Sequence, residues 1–187
     1  MSSSWITTCS GRQFFIDEPR ARDVAIGDIA HALSQICRFV GHTRTHYSVA
    51  QHSVEVCKLV HQWCPENKAL QFAALMHDSA EAYLTDVPRP VKQLTLGYRA
   101  LEEQMLEAIA EKLGFDARLV HSPQVKAADN DLMLTEVRDL MSPGANRGQW
   151  TALFPDAQPL RRALRALSAK AAKEQFLRYF GIYAESP

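Results

Sequence analysis

The chain has 187 residues, of which 47% are hydrophobic and 22% charged, and this suits one domain with a single sizeable core. Lysine and arginine together number 21, as do aspartate and glutamate, so the formal net charge of zero argues against a strongly basic surface for a nucleic-acid polymer. No uninterrupted apolar run approaches the roughly 20 residues that cross a bilayer, so we expect no membrane partner.

The cysteines and the N-terminal residues indicate the cellular compartment of the protein. The four cysteines show no Cys-x-x-Cys spacing and no dense framework, which is typical of reduced thiols in the cytosol. The opening residues Met1–Trp5 lack both a basic start and an apolar core, so no signal peptide is expected. We therefore predict a soluble, cytoplasmic protein.

The N-terminal part of the chain predicts a hairpin, a helix and a loop. The β-prone runs Trp-Ile-Thr-Thr and Phe-Phe-Ile flank the turn signal Ser10-Gly11, so a β-hairpin is predicted over residues 5–17. Residues 26–36 have apolar side chains at helical spacing, which predicts a helix. Residues 37–47 lack a clear period and are expected to form a loop, where substrate contacts concentrate.

A helix predicted from Ser48 to about Cys64 carries the first candidate metal ligand, His52. Ser48 followed three residues later by Gln51 is a capping-box pattern, which marks the start of a helix. His52 lies in the first turn, on the apolar stripe of that helix. Alone, such a histidine is more often a core residue; as a ligand it needs its other ring nitrogen held by a neighbouring group.

The next helix, predicted over residues 65–84, carries a histidine followed directly by an aspartate, His77-Asp78. Glu81 lies one turn beyond His77 on the same inward face of that helix. Ionisable groups on an inward face are costly unless something pairs with them. A divalent cation is the simplest partner.

The rest of the chain is predicted to be mainly helical, so the fold class is all-α with a short N-terminal β-hairpin. Two prolines predict a stiff, extended loop over residues 85–92, which presents Asp86 near the preceding helix. We find no internal repeat or linker, so residues 1–187 are predicted to form a single domain. The remaining predicted elements are helices over 98–113 and 123–140, a loop over 142–158 and a last helix over about 159–180.

Asp129 lies among apolar neighbours in the middle of the predicted helix over residues 123–140. Aspartate is a poor helix former there and is expensive to bury, so something must hold its carboxylate. Asp131 and Asp139, by contrast, are expected to face solvent.

Two imidazoles and two carboxylates from three predicted helices form a mixed nitrogen and oxygen ligand set. Such a set suits Zn, Co or Mn, with Mg, Ni or Fe as further possibilities, rather than Ca. We expect one divalent metal ion with water completing its shell, which leaves an open position for chemistry. The predicted ligands are His52, His77, Asp78 and Asp129.

This ordered set resembles the H…HD…D signature of the HD-domain metal-dependent phosphohydrolases, which implies an HD-domain helical bundle. The likeness covers roughly residues 26–140 and leaves out the hairpin and the last helix. It is greatest to the YfbR-like 5′-deoxynucleotidases and to small phage-type enzymes that strip triphosphate from deoxynucleotides, some of them selective for dATP. The matching stretches are Arg38-Phe39, Gln51-His52-Ser53, His77-Asp78-x-x-Glu81, Asp86-Val87-Pro88-x-Pro90-Val91-Lys92 and Lys126-Ala127-Ala128-Asp129.

The resemblance implies a role for several of these residues. The four ligands would bind one catalytic divalent ion, which polarises a phosphoryl oxygen and supplies or orients the attacking water. Glu81 would be the general acid/base, and Arg38 would clamp the phosphate with its bidentate fork. Asp86 would accept a hydrogen bond from the sugar 3′-hydroxyl or help to place the water.

Three further residues are assigned to the substrate. Phe39 stands where the family usually has a tryptophan that selects deoxyribose, and Lys92 ends the proline-containing motif. His42 lies in an insertion over residues 41–47, together with Arg44. This insertion could close over a longer phosphate chain, which favours a triphosphate.

We therefore predict metal-dependent hydrolysis of the 5′-phosphoester of a deoxynucleotide, with a dNMP releasing phosphate or a dNTP releasing triphosphate. One alternative is a non-catalytic nucleotide-binding or sensing module, although binding alone does not need Glu81. Another is a redox enzyme with two irons, for which the chain offers no obvious additional ligands. Relatives commonly form dimers or larger rings, so the resemblance also implies a homo-oligomer.

Overall fold

The computed structural model describes residues 4–184, which form helices and turns apart from one short N-terminal hairpin. Strands β1 (Trp5–Thr7) and β2 (Gln13–Phe15) pair antiparallel, with Ile6 opposite Phe14. Gly11 has a φ of 81°, which residues with a side chain rarely adopt, and it lies in the turn between the strands. The prediction of an all-α fold with a short hairpin is confirmed.

The helices follow the hairpin in chain order, and the predicted bounds of α6 and α7 agree with the structure. They are α1 (Ile26–Gln35), α2 (Val49–Trp63), α3 (Lys68–Met76), α4 (Glu81–Leu84), α5 (Arg89–Leu94), α6 (Tyr98–Leu113), α7 (Pro123–Leu140), α8 (Arg147–Leu153) and α9 (Ala169–Ala184).

Helix α2 is central, because residues 49–57 are all buried and it packs against α1, α3, α7 and α9. As predicted, Ser48 caps its start, accepting a hydrogen bond from the Gln51 N–H at 3.2 Å. The Gln51 side chain does not complete the capping box. It donates instead to the Arg165 carbonyl and accepts from the Leu167 N–H, so it attaches the chain before α9 to α2.

The segment predicted as one helix over residues 65–84 is divided into α3 and α4. Helix α3 begins only at Lys68, because the Asn67 side chain accepts a hydrogen bond from the Leu70 N–H at 3.0 Å and caps its start. Residues 77–80 form a turn between the two helices. The candidate ligands His77 and Asp78 therefore lie in that turn.

Two predicted loops contain helices. Residues 85–92 were expected to be extended, but α5 begins at Arg89 and accommodates Pro90 in its first turn, where the missing N–H has no helical partner. Helix α8 lies inside the predicted loop over residues 142–158, and the Asn146 side chain caps its start. Both predictions gave too much weight to helix-breaking residues that are tolerated at a helix start.

The predicted start of the last helix at residue 159 is wrong, because residues 160–168 are irregular. Side chains of earlier helices bind the backbone N–H groups in this segment. The Thr135 hydroxyl accepts from the Leu160 N–H at 2.8 Å, and Gln51 accepts from Leu167. These tertiary hydrogen bonds replace the local ones that a helix would make.

The prediction that Asp131 and Asp139 face solvent is also wrong. Asp131 accepts a hydrogen bond from the Gln158 N–H at 2.7 Å, and Asp139 accepts one from the Leu164 N–H at the same distance. Both carboxylates are partly buried. They hold the chain between α8 and α9 against α7.

The main hydrophobic core surrounds α2 and reaches from Phe14 of the hairpin to Phe176 of α9, both of which are fully buried. Phe14 also stacks on Tyr83 of α4, with 3.9 Å between the ring centroids. No helix within residues 4–184 is long and apolar enough to cross a membrane.

Asp28 of α1 joins the turn of the hairpin to the helical core. Its carboxylate is 5% exposed and accepts hydrogen bonds from the Ser10 N–H at 2.9 Å, the Ser10 hydroxyl at 2.8 Å and the Cys9 thiol at 3.2 Å. Burial raises the pKa of Asp28, but the hydrogen bonds lower it more, so its pKa lies below the usual value.

Asp28→Ala should lower the free energy of unfolding by about 2 kcal/mol at pH 7, because it removes the charged acceptor of three hydrogen bonds. Urea unfolding followed by circular dichroism measures this change. The control Asp156→Ala removes an exposed carboxylate and should stay within about 0.5 kcal/mol of the wild type.

The same pair of proteins tests the pH dependence. Because the folded pKa of Asp28 lies below its unfolded value, its stabilisation is present above about pH 4 and is lost as the pH falls through the folded pKa. The difference in stability between wild type and Asp28→Ala should therefore shrink below about pH 4. A constant difference down to pH 2 would contradict the role given to this carboxylate.

Candidate metal centre

His52 is fully buried in the first turn of α2, and both of its ring nitrogens meet carboxylates of α7. Nδ1 lies 2.7 Å from Glu136 Oε1, and Nε2 lies 3.4 Å from Asp129 Oδ1. Asp129 and Glu136 are seven residues apart, close to two helical turns, so they share one face of α7. The imidazole is therefore held between two carboxylates of one helix.

His77 and Asp78 reach the same point from the turn after α3. In this turn backbone N–H groups bind carbonyls three residues earlier, as in a 3-10 helix, rather than four residues earlier as in an α-helix. His77 Nδ1 lies 2.8 Å from the Ala74 carbonyl, and its Nε2 lies 3.3 Å from His52 Nε2. Asp78 Oδ2 is 3.3 Å from His77 Nε2 and 3.5 Å from His52 Nε2, so both neighbours in sequence contribute to one cluster.

The ligand atoms of His52, His77 and Asp129 lie within 4.8 Å of one another, so this group could hold a metal ion. Asp78 joins them through its contacts with both imidazoles. These four residues are the predicted ligands, and they come together from α2, the turn after α3 and α7. Imidazole nitrogens with carboxylate oxygens form a donor set that fits a divalent transition metal.

Negative charge dominates this buried cluster. Burial raises the pKa of Asp78 and of Asp129, but the neighbouring histidines lower both further, to below the usual range. Burial and the Arg38 charge lower the pKa of His52, whereas Glu136 and Asp129 raise it more, to about 9. The carboxylates thus favour a positive charge at this point, and a bound cation meets that need.

Glu136 is the residue of the site that sequence reasoning missed. It is fully buried, and while Oε1 faces His52, Oε2 accepts a hydrogen bond from Arg38 Nε at 3.1 Å. Burial raises the pKa of Glu136, but Arg38 and His52 lower it more, so the carboxylate stays ionised. Its spacing of seven residues from Asp129 was the available signal.

Arg38, the predicted phosphate clamp, is buried beside the cluster and already has acidic partners. Besides the bond to Glu136, its Nη1 lies 3.6 Å from Asp78 Oδ2. Within residues 4–184, the one hydrogen-bond partner of Nη2 is the Met133 sulfur, at 4.0 Å. N–H donors on the outer edge of the guanidinium therefore remain for a ligand.

A strained turn follows Arg38. Phe39 and Val40 have φ values of 55° and 54°, in the left-handed region that side chains disfavour. Such residues cost about 1–3 kcal/mol each and persist where the surroundings enforce them. The Arg38 N–H, bonded to the Tyr47 carbonyl at 2.9 Å, closes the loop. Phe39 thereby meets the Trp150 ring of α8 edge to face, with 6.0 Å between centroids.

A cavity of about 460 Å³ opens beside the cluster, a size that suits a small-molecule ligand. Glu81 lines it, is 5% exposed and has one oxygen, Oε2, without a hydrogen-bond partner in the described part of the chain. Burial raises the pKa of Glu81 well above its usual value, and the charges of Asp78 and Asp86 raise it further. The lining also includes the basic residues Arg89, Lys92, Arg99, His121 and Lys126.

Two more predicted substrate residues lie near this cavity. Lys92 Nζ is 2.6 Å from Glu102 Oε1 and 3.6 Å from Glu81 Oε1, so it is already paired with carboxylates. Asp86 is partly buried, and burial raises its pKa while the charge of Arg38 opposes the rise. The cluster and Asp86 are therefore within electrostatic reach of each other.

Most of the insertion over residues 41–47 lies away from the cavity. The Arg44 N–H binds the Leu140 carbonyl at 2.9 Å, and its Nη2 binds the Asp139 carbonyl at 2.6 Å, so it caps the end of α7. His42 is exposed, and its side chain makes no hydrogen bond or ion pair within residues 4–184. Among the described residues, none from this insertion lines the cavity beside the cluster.

Comparison with known proteins shows the family. Over 137 residues the chain is 45% identical to the uncharacterized protein YfdR of Escherichia coli strain K12, which covers 73% of this chain and 72% of YfdR. The chain belongs to the YfdR family. A second relative, an uncharacterized protein of Rhodobacter capsulatus, is 35% identical over 135 residues, or 69% of each chain. No family model matches the chain.

This member of the YfdR family should bind Zn²⁺, Co²⁺ or Mn²⁺ at one site in calorimetric titrations. Asp129→Asn should weaken binding by more than the about 10–100-fold that loss of an outer partner typically costs, since it removes a ligand charge. Asp131→Asn on the same helix is the matched control, because asparagine can still accept the Gln158 N–H. Equal affinity in all three proteins would show that the ion binds elsewhere.

Proposed function

We propose that the protein is an HD-type metal-dependent phosphohydrolase that cleaves the 5′-phosphoester of a deoxyribonucleotide. One observation carries the proposal: two imidazoles and two carboxylates converge beside a cavity that is also lined by the buried carboxyl group of Glu81. The order of these residues along the chain is that of the HD signature it resembles. A module that only bound nucleotides would not need Glu81 next to the ligands.

The metal proposed for this site is Zn²⁺, Co²⁺ or Mn²⁺, in keeping with the nitrogen and carboxylate donors. When bound, such an ion supplies positive charge that polarises a phosphoryl oxygen. His77 prepares its ligand atom by hydrogen bonding the Ala74 carbonyl through Nδ1, which leaves the lone pair of Nε2 for the ion.

Glu81 is proposed to move the proton. Burial and the charges of Asp78 and Asp86 raise the pKa of Glu81, which favours the protonated carboxyl group that a general acid requires. The water oxygen forms a bond to phosphorus while the bond from phosphorus to the 5′-oxygen breaks. The Glu81 proton goes to the departing 5′-oxygen, and the proton released by the water returns to the Glu81 carboxylate.

The remaining predicted residues are proposed to bind the substrate. Arg38 offers its outer N–H groups to phosphate oxygens, with its guanidinium held in place by Glu136 and Asp78. Asp86 accepts a hydrogen bond from the sugar. Phe39 provides an apolar face, and the contact with Trp150 fixes the position of its ring.

Metal-loaded protein should release phosphate from dNMPs or triphosphate from dNTPs. Glu81→Ala should reduce kcat by about 10²–10⁴-fold because the proton donor is lost, while the affinity for the metal remains within a few-fold. Product chromatography across dNMP, dNTP and rNTP panels measures the first effect, and calorimetry measures the second.

Glu107→Ala on the exposed face of α6 is the control for this substitution and should keep full activity. Absence of any phosphate or triphosphate release across the whole panel, with each of the three metals, would disprove the proposed reaction.

A further inference from the structure

Glu136 joins His52 and Arg38 in a closed ring of contacts. Glu136 Oε1 lies 2.7 Å from His52 Nδ1, and Glu136 Oε2 lies 3.1 Å from Arg38 Nε. Asp78 Oδ2 closes the ring on the other side, 3.5 Å from His52 Nε2 and 3.6 Å from Arg38 Nη1. One carboxylate of α7 therefore holds both a candidate metal ligand and the candidate phosphate-binding cation.

We propose that Glu136 is a positioning residue that orients His52 for the metal and Arg38 for the phosphate as one unit. The part concerning the metal depends only on the cluster itself. The part concerning Arg38 rests on the proposed phosphohydrolase function.

The first half of the role follows from the chemistry of the two groups. An ionised carboxylate only accepts hydrogen bonds, so His52 Nδ1 must carry a proton to face Glu136 at 2.7 Å. In the neutral imidazole the lone pair is then on Nε2, the nitrogen that faces His77, Asp78 and Asp129. Glu136 therefore fixes the ring orientation before any ion binds, and it selects the tautomer with the proton on Nδ1 once an ion displaces the proton from Nε2.

The second half concerns the direction of the guanidinium. Glu136 accepts a hydrogen bond from Nε of Arg38, and Asp78 lies near Nη1. The N–H groups on the outer edge of the guanidinium therefore remain for phosphate oxygens. Arg38 follows directly on an isolated backbone bridge between Cys37 and Ser48 and precedes the strained turn, so its backbone is held as well. Removing Glu136 would free the side chain to turn toward Asp78.

Glu136→Gln tests the role, because the side chain keeps its shape but loses the charge and one of the two acceptor oxygens. We expect about 10–100-fold weaker Zn²⁺ binding by calorimetry, together with a raised KM for the nucleotide. Glu136→Asp keeps the charge and should recover part of the metal affinity.

Glu55→Gln is the matched control. Glu55 is also a buried glutamate with two cationic partners, Lys58 at 2.7 Å and Arg162, but it lies outside the cluster. This variant should lose stability, while its affinity for Zn²⁺ and its KM stay within twofold of the wild type. A folded Glu136→Gln protein with unchanged Zn²⁺ affinity and KM would overturn the proposal.

A measurement on the wild-type protein keeps the proposal testable if Glu136→Gln does not fold. In the Zn²⁺-loaded protein, ¹⁵N–¹H correlation spectra of the histidine rings should show His52 with a proton on Nδ1 and the metal on Nε2. A proton on Nε2 would overturn the inference. The ring spectra and the calorimetry need no turnover, so they test the role of Glu136 independently of the proposed hydrolysis.

Discussion

The constraint on which the site depends is that ionised side chains removed from water must be paired. Here α2, the turn after α3 and α7 bring His52, Asp78 and Asp129 to one buried point. Arg38 offsets only part of the carboxylate charge, and His52 responds with a pKa raised to about 9. A cluster of this composition could hold a cation, and a metal site is therefore the simplest interpretation of the geometry.

Contacts outside the cluster fix the positions of the helices that surround it. Both nitrogens of His52 face α7, and the chain before α9 is attached to α2 and α7 by Gln51, Thr135 and Asp139. These contacts use side chains of helices to bind the backbone of an irregular segment. Helices α2 and α7 are thereby fixed relative to one another by contacts additional to those that His52 makes with α7.

The backbone beside the cluster contains a strained turn. Two consecutive left-handed residues, Phe39 and Val40, follow the buried Arg38, and α8 places Trp150 against Phe39. Strain of about 1–3 kcal/mol per residue is maintained only when neighbouring contacts enforce it, and it is common at ligand-binding positions. The turn directs Arg38 inward while Phe39 packs against Trp150, so one short segment supplies both a buried guanidinium and an apolar ring.

The spacing of residue types in the sequence was sufficient to predict the secondary-structure elements that depend on neighbouring residues. The hairpin, the start of α2 at Ser48 and the full extent of α6 and α7 depend on turn residues, caps and apolar periodicity, which neighbouring residues decide. The four candidate ligands were also identified from the sequence, because burying His52 or Asp129 in the stripe of a helix requires a partner. Asparagine and proline at helix starts misled the prediction of α3, α5 and α8.

What only the tertiary structure decided are the contacts between distant residues. Glu136 becomes a partner of His52 across 84 positions of the chain, and Trp150 becomes a neighbour of Phe39 because α8 folds back onto the site. The segment before α9 is irregular because Gln51, Thr135 and Asp139 satisfy its N–H groups. The sequence alone determined that His52 and Asp129 needed partners, since both lie on the apolar stripe of a helix and helical period is a local property. Which partners they found was decided by how the helices pack.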